Sequence, residues 1–290
     1  MRTLIINSVN VVSNTLNDTY RYDFPNGAVN FDEEQISLAT LSFPFSWFNI
    51  TPANSGMGWN NNVYQYIWVD GLTYTVTMPA GGYEITTMNA YLQEVMVKNG
   101  HYLVDNTIST SPKFVYYIEL VVNITFYAIQ FNAYPVPTSL PTNYSNPGGL
   151  VFPATTKTPQ IIVPSNNNFG KVIGFDAGTY PTVPDTLKYS KISDFTPNVQ
   201  PVTSVLISCN LLNNKYSLPS TLLYAFTTGT TPFGSNYTLN VPQFAFVDIQ
   251  NGQYTNIQIQ FLTQDQKRLH LRDNNLSMLL VIEKKQNTPK

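Results

Sequence analysis

The sequence reads as an all-β protein, a sandwich with a single helix, on three observations. Short runs rich in β-branched and aromatic residues recur along the chain. Turn residues, including Asp70-Gly71 and Asn251-Gly252, punctuate those runs. Only one stretch carries an apolar stripe of helical period.

Leu4 to Asn7 and Thr19 to Phe24 are short strand candidates, with Pro25-Asn26-Gly27 as a turn after them. Residues 1–34 are therefore either an N-terminal arm or edge strands, ahead of one domain over 35–290. Gln35 to Phe43 predicts a strand with a defect: Ile36, Leu38 and Phe43 are apolar, yet Leu41 falls out of phase with Ile36 and Leu38. Pro44 ends it, and Phe45 to Pro52 crowds Phe45, Trp47 and Phe48 into a connection.

Val63 to Gly100 is the best-defined stretch. Val63 to Val69 and Leu72 to Met78 are separated only by Asp70-Gly71, which predicts a two-residue hairpin with positive φ at both turn positions. Pro79-Ala80-Gly81-Gly82 stops the second strand. Ile85, Met88, Leu92, Val95 and Met96 then recur at three- and four-residue spacing, with Thr86 or Thr87 as the start cap and Lys98-Asn99-Gly100 as the stop. Such a stripe belongs against a sheet.

Phe114 to Val122 and Ile124 to Phe131 are two strand-like runs divided by a turn near Asn123. From about 132 to 200 prolines and glycines dominate and periodicity fades, as in a long loop or insertion, and Asn168 to Phe175 looks equally irregular. Strand signals return at Val202 to Leu212, Leu222 to Thr227, Phe244 to Gln250 and Tyr254 to Leu262, the last two flanking Asn251-Gly252 as a second hairpin signal. Ile257, Ile259 and Phe261 alternate with Asn256, Gln258 and Gln260, so one face of that strand is buried and the other is wet or covered by polar neighbours. Leu276 to Ile282 closes the chain as a strand apolar on both faces.

Composition narrows the function. Charged residues make up 11% of the 290, less than half the usual share, and uncharged polar residues replace them. A surface of that kind loses little desolvation energy when neighbours cover it, which suits a subunit of a large assembly. A net charge of -2 draws no nucleic acid, leaving only Lys284, Lys285 and Lys290 as a small basic cluster for contact with a genome. Cys209 is the single cysteine and reads as a buried thiol, so there is no intrachain disulfide framework. The apolar run at Met1 to Asn7 is too short for a signal peptide, and no run of ~20 apolar residues occurs. A soluble chain made in the cytosol, without membrane contact, is expected.

Catalytic chemistry is not visible. His101 and His270 are far apart and neither has a second His at metal-ligand spacing. The nucleophile-elbow, phosphate-loop and dinucleotide patterns are missing, so no enzyme, cofactor or metal is expected. Trp47 and Trp59, outside the strands, are candidates for stacking on sugars.

Several segments together resemble the minor capsid or penton proteins of virophages and Polinton-type elements. They are Gln35 to Thr51 with its Pro44-Phe45-Ser46-Trp47-Phe48 segment, Val63 to Tyr66, Thr75 to Tyr83 leading into the helix, Phe169 to Phe175, Asn256 to Leu262, and Leu269 to Ile282. The resemblance spans most of residues 35 to 285. It implies a single jelly-roll sandwich of two antiparallel sheets with long decorated loops. It further implies a homopentamer at the fivefold vertices of an icosahedral capsid, in contact with a double-jelly-roll major capsid protein. The protein would then belong to the virion, assembled in the host cytoplasm, with outer loops free to meet a host receptor. A ring of five needs a heterologous interface, for which parts of Lys113 to Gln130 and the polar positions Asn256, Gln258 and Gln260 are the candidates. The other reading is a sugar- or receptor-binding jelly-roll module, such as a trimeric fibre head, acting through Trp47 and Trp59.

Overall fold

The computed structural model describes residues 1–13, 15–54, 57–108 and 110–285. The chain divides into two compact units, one of Met1–Phe48 together with Val202–Lys290 and one of Asn49–Pro201. In chain order the first unit begins with strands β1 (Arg2–Asn7), β2 (Thr19–Asp23), β3 (Val29–Phe31) and β4 (Glu34–Pro44). The second holds β5 (Val63–Ile67), β6 (Thr73–Thr77), helix α1 (Ile85–Lys98), β7 (Tyr102–Asp105), β8 (Lys113–Tyr116), β9 (Ile118–Asn123) and β10 (Ala128–Ala133). It continues through β11 (Tyr144–Ser145), β12 (Gln160–Val163), helix α2 (Phe169–Ile173), β13 (Gly178–Tyr180) and β14 (Tyr189–Ile192). The first unit resumes with β15 (Val205–Cys209), β16 (Leu222–Phe226), β17 (Asn236–Asn240), β18 (Val247–Asp248), β19 (Gly252–Tyr254), β20 (Asn256–Thr263) and β21 (Ser277–Lys284).

The first unit has two principal antiparallel sheets, ordered β1-β21-β4-β17 and β16-β15-β20-β2, with β18 also on β4 and β19 paired to β3. Numbering the eight principal strands along the chain, the orders are first-eighth-third-sixth and fifth-fourth-seventh-second. That is a jelly-roll-like winding. The sheets meet through aromatic rings: Phe43 of β4 lies 4.7 Å from Phe261 of β20 and 5.4 Å from Phe226 of β16, and Phe226 stacks on Tyr237 of β17 at 4.9 Å. Residues Ile257, Ile259 and Phe261 point into this core and are fully buried, as their alternation requires.

A bulge accounts for the phase defect of β4. Leu280 pairs with Leu38 and Leu279 with Thr40, so Ala39 has no partner on β21. One extra residue on one strand shifts the side-chain alternation by one. Ile36 and Leu38 before the bulge and Leu41 and Phe43 after it are consequently all buried.

The second unit is built on the hairpin and helix that the sequence marks. Strands β5 and β6 pair from Val63↔Thr77 to Ile67↔Thr73. Their turn differs from the expected two-residue form. The Gly71 amide donates to the Trp68 carbonyl and the Trp68 amide to the Leu72 carbonyl, both at 3.0 Å, and of the two turn residues only Gly71 has a positive φ, at 86°. This is a three-residue loop with a left-handed glycine, and Asp70 serves it through its side chain, accepting from the Leu72 amide at 2.7 Å.

Helix α1 buries Ile85, Met88, Leu92 and Met96. Thr87 acts inside the first turn, where its hydroxyl accepts from the Glu84 amide at 2.9 Å. At the other end the Gly100 amide donates to Val97 and the His101 amide to Met96, a Schellman closure with Gly100 at φ 73°. The Leu120 amide donates to Asn89 Oδ1 at 2.8 Å and fixes the helix to β9.

Around them lie sheets β13-β12-β5-β6, β14-β10-β9 and β11-β7-β8. The stretch 132–200, expected as a loop or insertion in one domain, contributes strands to all three, and Val136, Leu150, Ile161 and Phe175 are in the core. Asn168 to Phe175 contains the second helix, α2, where a single one was expected. With five residues it is too short to display a period, yet Phe169, Val172 and Ile173 are buried. The run Phe114 to Val122 is divided at Tyr117, β8 pairing with β7 and β9 with β10. The Asn251-Gly252 hairpin does not form, because β18 pairs with β4 and β19 with β3.

Candidate functional site

Trp47 is 2% exposed, packed against Phe45 at 4.4 Å and Phe43 at 5.9 Å, so it offers no ring face to a sugar. Its role is core, a correction to the exposure expected of it in an aromatic connection. Trp59, in the other unit, is half-buried; its amide donates to Thr51 Oγ1 at 3.1 Å and its carbonyl accepts from Asn168 Nδ2 at 2.8 Å.

Asn256, Gln258 and Gln260 share the outer face of β20, each half-buried. Across on β2 they oppose Asp23, Arg21 and Thr19, and on β15 Ser208 faces Gln260. Arg21 and Asp23 neutralise one another at 2.7 Å. The Gln258 amide donates to Asn210 Oδ1 at 2.8 Å, and Gln260 Nε2 reaches Thr19 Oγ1 at 3.5 Å. The result is a flat lattice of amides and hydroxyls with one self-cancelling ion pair. Such a face can be covered without stripping an uncompensated charge of water.

The basic cluster is partly committed. Lys285 Nζ lies 3.0 Å from Asp248 and 3.6 Å from Glu33, and these carboxylates raise its pKa above the ordinary lysine value, the hydrogen bond to Asp248 foremost. Lys284 is exposed at the end of β21, and Lys290 lies outside the described residues.

The titratable side chains with unusual surroundings are structural. Cys209 is buried, which pushes its thiol up to about 12. His101 is 5% exposed and stacks on Trp68 with centroids 4.2 Å apart. Asn99 Nδ2 donates to the Tyr66 hydroxyl, which in turn is 2.8 Å from His101 Nδ1. Phenol and imidazole thus share one buried hydrogen bond, within a chain that begins at Asn99. Burial lowers the His101 pKa from 6.5 to about 4, against a smaller opposing pull from Asp70.

A pH dependence follows. Between those two values the unfolded chain binds a proton that the folded unit refuses, so stability is full above pH 6.5 and falls as pH drops toward 4, by up to about 3 kcal/mol. Urea unfolding at pH 7 and pH 4.5 measures this loss, and His101→Gln removes that part of the difference between the two pH values.

Among the described residues no group of three or more His, Cys, Asp and Glu is placed to hold a metal ion. No described helix is long and apolar enough to cross a membrane. An open recess of about 400 Å³ is lined by Asn213, Tyr216, Phe246 and Asp248 among others, but Asp248 is already engaged by Lys285.

One surface had only a general signal in the sequence, within the Lys113 to Gln130 segment. The turn between β9 and β10 holds Ile124, Phe126 and Tyr127 out in solvent. Strand period locates the turn, but not how far its side chains project.

No family model matches the sequence, and no curated protein does either. Among solved structures, the chain is similar to the selenomethionine-labelled mavirus penton protein, with 10% identity over 92% of this chain and 91% of that one and a TM-score of 0.41. It is also similar to a chain in the cryo-EM structure of the Sputnik virophage, with 13% identity over 98% of each and a TM-score of 0.42. Likenesses of this degree assign neither fold nor function.

Proposed function

We propose that the chain is a structural capsid protein of the virophage type. Its first unit is a jelly-roll sandwich, and five copies close the fivefold vertices of an icosahedral capsid by self-assembly and by contact with the major capsid protein. The protein resides in the virion. The observation that carries this reading is the winding of the two facing sheets, combined with the neutral polar outer face that carries Asn256, Gln258 and Gln260. Jelly rolls serve both coats and sugar-binding modules, so winding alone does not choose. The low charged fraction, 11%, favours a surface covered by neighbours. The burial of Trp47 removes one of the two rings on which a sugar-binding reading depends.

In this account Asn256, Gln258 and Gln260 lie at a contact between subunits or with the major capsid protein. Residues 49–201 are a compact unit inserted between β4 and β15. Contacts so poor in ions are insensitive to salt, because screening acts on charges. Class averages of the purified chain by electron microscopy, in 50 mM and in 500 mM NaCl, test the proposal. Fivefold rings are expected at both; threefold particles would support the fibre-head reading instead.

A further inference from the structure

Asparagine is followed by glycine three times, at Asn26-Gly27, Asn99-Gly100 and Asn251-Gly252. Glycine has no side chain to shield its own amide nitrogen, so that nitrogen can attack the preceding side-chain amide carbon wherever the two are free to meet. The fold treats the three pairs differently. Asn99 Nδ2 donates to the Tyr66 hydroxyl at 2.9 Å, the Gly100 amide donates to the Val97 carbonyl at 3.0 Å, and Gly100 is buried against the backbone of Gly148. Asn251 is held at both ends of its amide. Its Oδ1 accepts from the Glu33 amide at 3.1 Å, and its Nδ2 donates to Glu33 Oε1 at 3.3 Å and to Asp32 Oδ1 at 3.4 Å. Gly252 in turn is paired with Phe31 in the β19–β3 ladder.

Asn26 is the exception. Phe24 to Gly27 form a turn between β2 and β3, closed by one bond from the Gly27 amide to the Phe24 carbonyl at 3.1 Å. Asn26 and Gly27 are both exposed, and among the described residues the Asn26 side chain makes no hydrogen bond. Gly27 has φ 86°, and a side-chain carbon there would meet no atom within 4 Å, so the space around the reacting groups is open. A single turn bond at the surface opens readily. Either of the other pairs reacts only after several bonds have broken together.

We propose that Asn26 is a site of spontaneous deamidation. The Gly27 nitrogen attacks Asn26 Cγ and the new C–N bond closes a cyclic imide, while the Cγ–Nδ2 bond breaks and ammonia leaves with the Gly27 amide proton. Water then opens the imide at either carbonyl, giving aspartate or isoaspartate. No oxidant, reductant or cofactor takes part. The net charge of the chain moves from -2 to -3, since one neutral amide becomes one carboxylate. That charge appears three residues beyond Asp23, which opposes Asn256 on β20. A protein poor in ions thereby gains one whose burial is costly, and gains it with age. In isoaspartate the main chain also runs through the former side chain, which lengthens the turn into β3. The modification depends on nothing in the ring reading.

Peptide mapping of the full chain, aged in its folded state at 37 °C and pH 8, tests the site. Cleavage at Arg21, Lys98, Lys113, Lys215 and Lys267 puts the three pairs on separate tryptic peptides. The peptide with Asn26 is expected to gain the mass of an amide-to-acid exchange and to accept label from isoaspartate methyltransferase. It does so ~10-fold or more faster than the other two, because each of those must first break further hydrogen bonds. In concentrated urea all three are expected to convert at similar rates, so that the fold is the source of the difference. Asn26→Ser is expected to remove the first acidic species seen on ion exchange and to leave the unfolding temperature unchanged. The assignment is overturned if Asn26 converts no faster than Asn99 and Asn251 in the folded chain, if the same ratio persists in urea, or if the first acidic species survives in Asn26→Ser.

Discussion

Asn49→Ala is expected to destabilise the unit of residues 49–201 by about 2–4 kcal/mol, as a buried side chain gives up three hydrogen bonds to the backbone of half-buried residues at once. Asn49 is 1% exposed. Its Nδ2 donates to the Tyr83 and Val199 carbonyls, each at 2.7 Å, and its Oδ1 accepts from the Tyr83 amide at 2.8 Å. One side chain thereby joins the beginning of the unit to the entry of α1 and to its last residues. The Asn49 carbonyl accepts from Asn61 Nδ2, and Asn61 Oδ1 accepts from the Thr51 amide, so the clasp continues into a second amide. Alanine removes both functions of the side chain, and the methyl group satisfies none of the three partners. Asn49→Asp keeps the acceptor for Tyr83 but sets a carboxylate against two carbonyl oxygens, and is expected to be no better. Urea unfolding followed by cleavage within 49–201 reads the loss. A change under about 1 kcal/mol would mean that water replaces the amide without penalty.

Arg268→Ala is the second large effect, about 3 kcal/mol in the other unit. Asp18 is fully buried, and Arg268 grips it through two bonds of 2.6 Å, Nε to Oδ2 and Nη2 to Oδ1. The pair fastens the start of β2 to the turn after β20, and beside it the Phe261 amide of β20 donates to the Asp18 carbonyl and the Leu271 amide to that of Leu16. Without the guanidinium a carboxylate is left in the core. Arg268→Lys recovers only part of the loss, because an ammonium does not reproduce the planar fork. If the stranded charge is the cause, Asp18→Asn/Arg268→Ala is more stable than Arg268→Ala alone, and equal stability would assign the effect to packing.

The elements legible in the sequence are those whose information is local. The β5–β6 hairpin, α1 and the alternation of β20 each rest on a period of two or 3.6 residues and on their own turn or cap residues. The β4 defect was legible only as a defect. Placing the bulge at Ala39 requires the register of β21, more than two hundred residues away. Asn251-Gly252 misled for the complementary reason: its flanking runs are strands, but β4 and β3 offer them better partners than each other. Strands β11 to β14 have between two and four residues, too few to declare a period amid prolines.

The asparagines were the least legible feature. Composition suggests side chains that face solvent, whereas Asn49, Asn61, Asn62, Asn167 and Asn168 hydrogen-bond backbone groups of the second unit. An amide brings donors and an acceptor without charge, which lets irregular chain be buried. Of the candidate contact residues, Asn256, Gln258 and Gln260 were placed by alternation alone, while the burial of Trp47 depends on Phe43 and Phe45 closing over it.

The central claim is that copies of this chain close a ring of five, and the mass of the wild-type protein in solution tests it most directly. Native mass spectrometry is expected to give a species of five times 32.6 kDa. A trimer, or a monomer at every concentration tried, would contradict it.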